Sequence, residues 1–144
     1  MMKMRAFTLL EAIIALSLTI TLVLIPTLTW HHCEKKITTT LFKRELISNW
    51  ESLRQTCYVN NCNGHLKTGA HYQSLDFIVI QNGHLVTKSI KVPAHLKMAR
   101  CCDIFIRKRH AVTPTTLSFV DRQTNTIMHF KIQMGWGNIL YEEV

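Results

Sequence analysis

The residues of this chain best suited to chemistry are its five cysteines and eight histidines. Cys57, Cys62 and His65 fall close enough together to begin a zinc site, because thiolate and imidazole are the usual ligands of that ion. Completing the set would call on Cys101 and Cys102, whose side chains point to opposite faces if they lie in a strand. The simpler chemistry is a disulfide between Cys57 and Cys62, closing a turn at a helix end in an oxidising compartment. An odd number of thiols forbids a complete disulfide set. Cys33 therefore pairs with Cys101, Cys102 or another subunit, or stays a small buried hydrophobe. The histidines, from His31 to His129, show no paired spacing. No P-loop, GxGxxG, HExxH, EF-hand loop or GxSxG occurs, so phosphate-binding and hydrolase readings have no support. We assign no catalytic residue, no metal and no cofactor.

Arg107, Lys108 and Arg109, followed by His110, form the densest basic tract, and Lys88, Lys91, Lys97 and Arg100 are expected nearby across the hairpin. Clustered cations attract phosphate backbones without reading sequence, and salt weakens that attraction. No aromatic residues interleave the tract as a base-stacking platform would require. The reading is a weak DNA contact at Arg107, Lys108 and Arg109, set against a solvated strand end or contact with an anionic cell-wall polymer or lipid. The net charge of +8 suits any of these.

A single carboxylate in an apolar run is the other oddity. The 24 residues from Phe7 to Trp30 carry one charge, Glu11. As a helix they would reach roughly 36 Å, enough to cross a hydrocarbon core of about 30 Å. Lys3 and Arg5 precede the run, so the amino terminus is expected in the cytoplasm and the remainder outside. A secretory signal places its small-residue cleavage site after the apolar region, whereas Ala6 lies before it. Cleavage at Ala6 would leave the apolar helix on the mature chain. A carboxylate in lipid costs roughly 3 kcal/mol or more, so Glu11 needs a partner such as a new amine on Phe7, its own or a neighbour's.

The stretch KMRAFTLLEAIIALSL resembles the type IV pilin amino terminus: a short basic leader, a small residue, Phe, an apolar run and Glu at the fifth mature position. Ala6 stands where that family usually has Gly. The resemblance implies that a prepilin peptidase cuts before Phe7 and methylates its amine, and that Glu11 docks the subunit into a growing filament.

The elements that must position these residues follow from periodicity. Pro26 should kink the apolar helix. Ile37, Leu41, Leu46, Trp50, Leu53 and Cys57 recur at helical spacing, predicting that the helix continues to about residue 58 with one face on a sheet. NNCNGHLKTG, from Asn60 to Gly69, reads as a loop. YQSLDFIVI, Asn82-Gly83 and HLVTKSIKV predict a hairpin, because Asn-Gly supplies the positive φ of a type I′ turn. A second hairpin is expected between TTLSFV and TIMHFKIQM, and Gly135 and Gly137 around Trp136 suggest a bulge before a last strand.

A helix followed by antiparallel strands is an α+β layout. With the leader it implies a type IV pilin-like fold: a long N-terminal helix, membrane-spanning in its first half, packed on a C-terminal antiparallel β-sheet. The corresponding organisation is a leader over residues 1–6, a transmembrane and filament-core helix over 7–30, and an extracytoplasmic domain over 31–144. The carboxy-terminal half, with IKVP closing a strand and FKIQMGWGNILYEE at the end, resembles the competence pseudopilins of the ComGD kind. That likeness implies a Gram-positive bacterium and DNA uptake during transformation. The expected protein is thus a non-enzymatic pseudopilin at the cell membrane and surface. Its partners are other pseudopilins, the prepilin peptidase, the membrane and DNA. Alternatives are a minor pseudopilin of a type II secretion or type IV pilus system, and a membrane-anchored thiol or zinc enzyme using Cys101 and Cys102. Length excludes a multidomain enzyme, 5 glycines exclude collagen, and 47% apolar content excludes wholesale disorder.

Overall fold

The computed structural model describes residues 8–81, 84–107, 111–122 and 124–144, with the backbone alone described for residues 25–32 and 70. The chain divides into two compact units, Met1–Ile37 and Thr38–Val144. Helix α1 runs over Leu9–Val59. In the first unit its large apolar side chains face outward: Leu9, Leu16 and Leu22 are 81%, 63% and 70% exposed.

In the second unit the helix has a buried face made by Phe42, Leu46, Trp50, Leu53 and Cys57. These residues are four, four, three and four apart, and the single step of three takes back about half the drift of the fours at about 100° per residue, which keeps all five on one face. Ile37 and Leu41, expected on that stripe, are 55% and 58% exposed. Leu41 lies five residues before Leu46, about 140° off the face, so Phe42 takes the inward position.

Eight strands follow: β1 Gly64–Thr68, β2 Ser74–Gln81, β3 His84–Lys91, β4 Leu96–Met98, β5 Asp103–Ile106, β6 Thr115–Asp121, β7 Ile127–Ile132 and β8 Ile139–Glu143. They form two four-stranded sheets, ordered β3-β2-β1-β5 and β4-β6-β7-β8, with every pairing antiparallel. The two expected hairpins are present, with Gln81 opposite His84 and Val120 opposite Ile127. Asn82 and Gly83 themselves lie outside the described residues. Strand β1 comes from the segment read as a loop. It is the inner strand between β2 and β5, and Leu66 at its centre is fully buried.

The expected type IV pilin-like fold is corrected on two counts. The strands make two sheets where one was expected. Pro93 cannot donate to a ladder, so β3 ends at Lys91 and the chain turns through a Leu96 N–H bond to the Pro93 carbonyl into the second sheet. The membrane-spanning first half is the other count: among the described residues no helix is long and apolar enough to cross a membrane.

The core of the second unit is aromatic at its centre. Phe42 meets Phe119 edge-on at 5.2 Å, Phe119 meets Phe130 at 5.7 Å, and Phe130 meets Tyr141 at 5.2 Å between ring centroids. Lys43 sits 3.1 Å above the Tyr141 ring. Trp50 is fully buried, and its Nε1–H donates to the Gly137 carbonyl at 2.7 Å. Gly137 has φ +69°, and a Cβ there would meet Val112 at 2.8 Å, so both conformation and space demand glycine.

Candidate functional site

The start of the apolar helix is built around Thr8 and Glu11. The Thr8 amide and hydroxyl both donate to Glu11 Oε2 at 3.1 Å, and the Glu11 amide donates to the Thr8 hydroxyl at 3.3 Å. This reciprocal arrangement is a capping box: the N-cap threonine and the glutamate three residues on satisfy backbone donors that the first helical turn leaves open. The signal for it in the sequence is the T-x-x-E pattern ahead of an apolar run, a capping signature. Farther along, the Ser17, Thr19 and Thr21 hydroxyls return to carbonyls three or four residues earlier. Their polarity is spent within the helix, which leaves the outer surface apolar. Ala6 and Phe7, the expected cleavage and methylation residues, lie outside the described residues.

The thiols divide by burial. All five cysteines are free: Cys33 and Cys101 are exposed, Cys57 and Cys102 buried, and Cys62 intermediate. Cys57 and Cys62 are brought together by the chain reversal that ends α1, in which the Cys62 amide donates to the Cys57 carbonyl at 3.2 Å. Burial, then the charge of Cys62 and a hydrogen bond with it, push the Cys57 thiol up to about 12. Strand β1 passes so close that a Cβ on Gly64 would sit 2.5 Å from Cys57 Sγ. Cys102 is held in β1's neighbourhood by Thr68, whose hydroxyl accepts from the Cys102 amide at 2.8 Å. Burial raises its thiol pKa, partly offset by the Thr68 hydroxyl. These protonated, enclosed thiols are poor nucleophiles.

Zinc chemistry at Cys57, Cys62 and His65 gains no support from the geometry. Among the described residues no group of three or more His, Cys, Asp or Glu side chains is placed to hold a metal. His65 instead pairs with Asp103 and stacks on Phe105, ring centroids 4.0 Å apart.

Of the basic tract, Arg107 is exposed and its amide donates to the Ala111 carbonyl at 3.2 Å. Lys108 and Arg109 lie outside the described residues. Beside β5 is a pocket of about 310 Å³ lined by Arg54, Tyr58, Ile106 and Trp136 among others. Its cation is internally engaged: Arg54 Nη1 donates to the Trp136 carbonyl and Asn138 Oδ1 at 2.7 Å, and Nη2 bonds Glu51 at 2.5 Å. The pocket wall is therefore a structural tie between α1 and the loop before β8.

No family model, no curated protein and no solved structure matches the chain.

Proposed function

We propose that this chain is a non-enzymatic pseudopilin subunit, cut between Ala6 and Phe7 by a prepilin peptidase and assembled through its apolar helical run into an extracytoplasmic filament serving DNA uptake. The observation that carries the reading is the run from Leu9 to Leu24, whose leucines and isoleucines are exposed with one carboxylate at its start. An apolar surface of that extent needs cover, and a filament of identical or similar subunits supplies it helix against helix. The Ala6-Phe7 junction, immediately before the capping box, is where cleavage would generate a new ammonium group. That charge would stand one residue from the Thr8 amide that Glu11 already binds, so the carboxylate could hold its own helix start and face a neighbour's amine. This reading rests on the amino-terminal pattern, not on the fold.

The test is the amino terminus of the chain isolated from cells that contain an active prepilin peptidase. Loss of residues 1–6, with a methyl group on the Phe7 nitrogen, is the expected result. The net charge then falls from +8 to +6, as Lys3 and Arg5 are removed. Recovery of full-length chain alone would defeat the proposal.

A further inference from the structure

A second concave surface lies where the end of β3, the turn into β4 and the end of β6 come together. It is a groove of about 800 Å³ whose lining includes Lys91, Lys97, Arg100 and Arg122, together with His71 and Tyr72. Among the described residues no aspartate or glutamate lines it. All four cations are exposed, and among the described residues none of them forms an ion pair. Four like charges on one concave wall repel one another, and low-dielectric walls focus their field outward. The arrangement attracts a polyanion.

One rim of the groove is a strained turn. His71 and Tyr72 both have left-handed backbone, with φ of 56° and 60°, unusual for residues with side chains. The conformation is held by bonds on either side: the Gly69 amide donates to the Ser74 carbonyl at 2.9 Å, and the Val92 amide to the Gln73 carbonyl at 2.8 Å. The result keeps the Tyr72 ring 51% exposed at the groove edge. An exposed ring beside clustered cations is the combination that binds single strands, with phosphates on the cations and a base on the ring. Beside Arg107 the exposed ring is Phe105, and it already stacks on His65.

We propose that this groove binds a single nucleic-acid strand, its phosphodiester backbone held by Lys91, Lys97, Arg100 and Arg122 and one base stacked on Tyr72. The choice of nucleic acid over other polyanions rests on the DNA-uptake reading above; the groove itself does not. Binding should be independent of sequence, because backbone contacts carry no base information.

The experiment is fluorescence anisotropy of a labelled single-stranded oligonucleotide with the purified full chain in detergent, over a salt series. Four phosphate contacts predict a loss of about 50-fold in affinity between 50 and 200 mM salt. The triple variant Lys97→Gln, Arg100→Gln, Arg122→Gln should cut that loss to about 3-fold. Tyr72→Leu should weaken binding by about 5-fold or more at every salt concentration, while Tyr72→Phe should bind like the parent. A control variant with Lys88→Gln and Arg107→Gln, which removes two cations outside the groove, should retain tight binding. Equal weakening by the control and triple variants would overturn the proposal, as would tighter binding to polyglutamate or to phosphatidylglycerol vesicles than to the oligonucleotide. Thermal melts of each variant show whether the fold survives. Amino-terminal cleavage is read on the same preparations, so a failed groove and a failed pseudopilin assignment give different results.

Discussion

The helical segment from Leu9 to Leu24 and the helical segment from Phe42 to Cys57 are both rich in large apolar residues, yet the first exposes them and the second buries them. In the second, Leu46 and Trp50 are fully buried beneath strands of the same chain. In the first, Leu9 is 81% exposed and Leu22 is 70% exposed. The difference teaches that hydrophobicity states a demand without naming its supplier. Where apolar residues recur on one face, the chain's own sheets meet the demand. Where they surround the helix, no single neighbour can, and several partners or an apolar medium must.

The sharpest way to break this comparison is truncation in each region. Trp50→Ala should destabilise the packed unit by about 3–5 kcal/mol, since it opens a cavity and leaves the Gly137 carbonyl without its indole donor. Leu16→Ala should change the unfolding free energy of the same unit, read by chemical denaturation, by less than about 0.5 kcal/mol, yet reduce filament incorporation. Equal destabilisation by the two would mean that the first region is packed within the chain after all.

Substitution at Glu11 sharpens the same contrast. Glu11→Ala should cost the helix start about 1 kcal/mol through loss of the capping box. Glu11→Gln keeps a side chain able to cap but removes the charge. Helix content by circular dichroism should therefore fall in the alanine variant and be held in the glutamine variant, while filament incorporation fails in both. Normal incorporation of the glutamine variant would reduce Glu11 to a cap.

Thiol accessibility reports the two regions on one gel. Cys33 and Cys101 should alkylate with iodoacetamide in the native chain, and Cys57 and Cys102 only on unfolding. The folded Cys57 thiol is raised from 9.0 to about 12, so its neutral form is favoured by folding. The sign follows: this contribution to stability is fully present below pH 9 and is lost as pH rises from about 9 through about 12. Denaturation midpoints measured across that window should fall in the parent and fall less in Cys57→Ala. A flat profile in the parent would show that the thiol is solvated.

Arg107→Gln is the smallest expected effect, within about 0.5 kcal/mol of the parent in stability, because an exposed charge contributes little to a fold. It should change the salt slope of oligonucleotide binding by at most about 0.7. A larger change would return the main nucleic-acid contact to the tract.

Much of the local structure was legible. The Asn-Gly pair between two alternating runs pointed to the pairing of β2 with β3, and Gln81 does lie opposite His84. The stripe around Leu46, Trp50, Leu53 and Cys57 was legible because helical period and burial coincide there. Strand β1 was not, since Gly64, His65 and Lys67 read as loop residues and only Leu66 signals a core. Its strand state comes from neighbours on both sides, β2 and β5, which supply hydrogen bonds that no local preference offered.

The candidate sites divide the same way. By itself the sequence determined the amino-terminal pattern: a basic leader, Ala6-Phe7, Glu11 at the fifth place and an apolar run, all read from adjacent residues. It also determined where the helix turns one face inward. Only the tertiary structure decided that the strands split into two sheets and that Lys91, Lys97, Arg100 and Arg122 line one groove with Tyr72. The reason is that local chemistry acts over a few residues along the chain, whereas these cations come from separate strand ends. Burial of the aromatic core, not any attraction among the charges, draws those ends together.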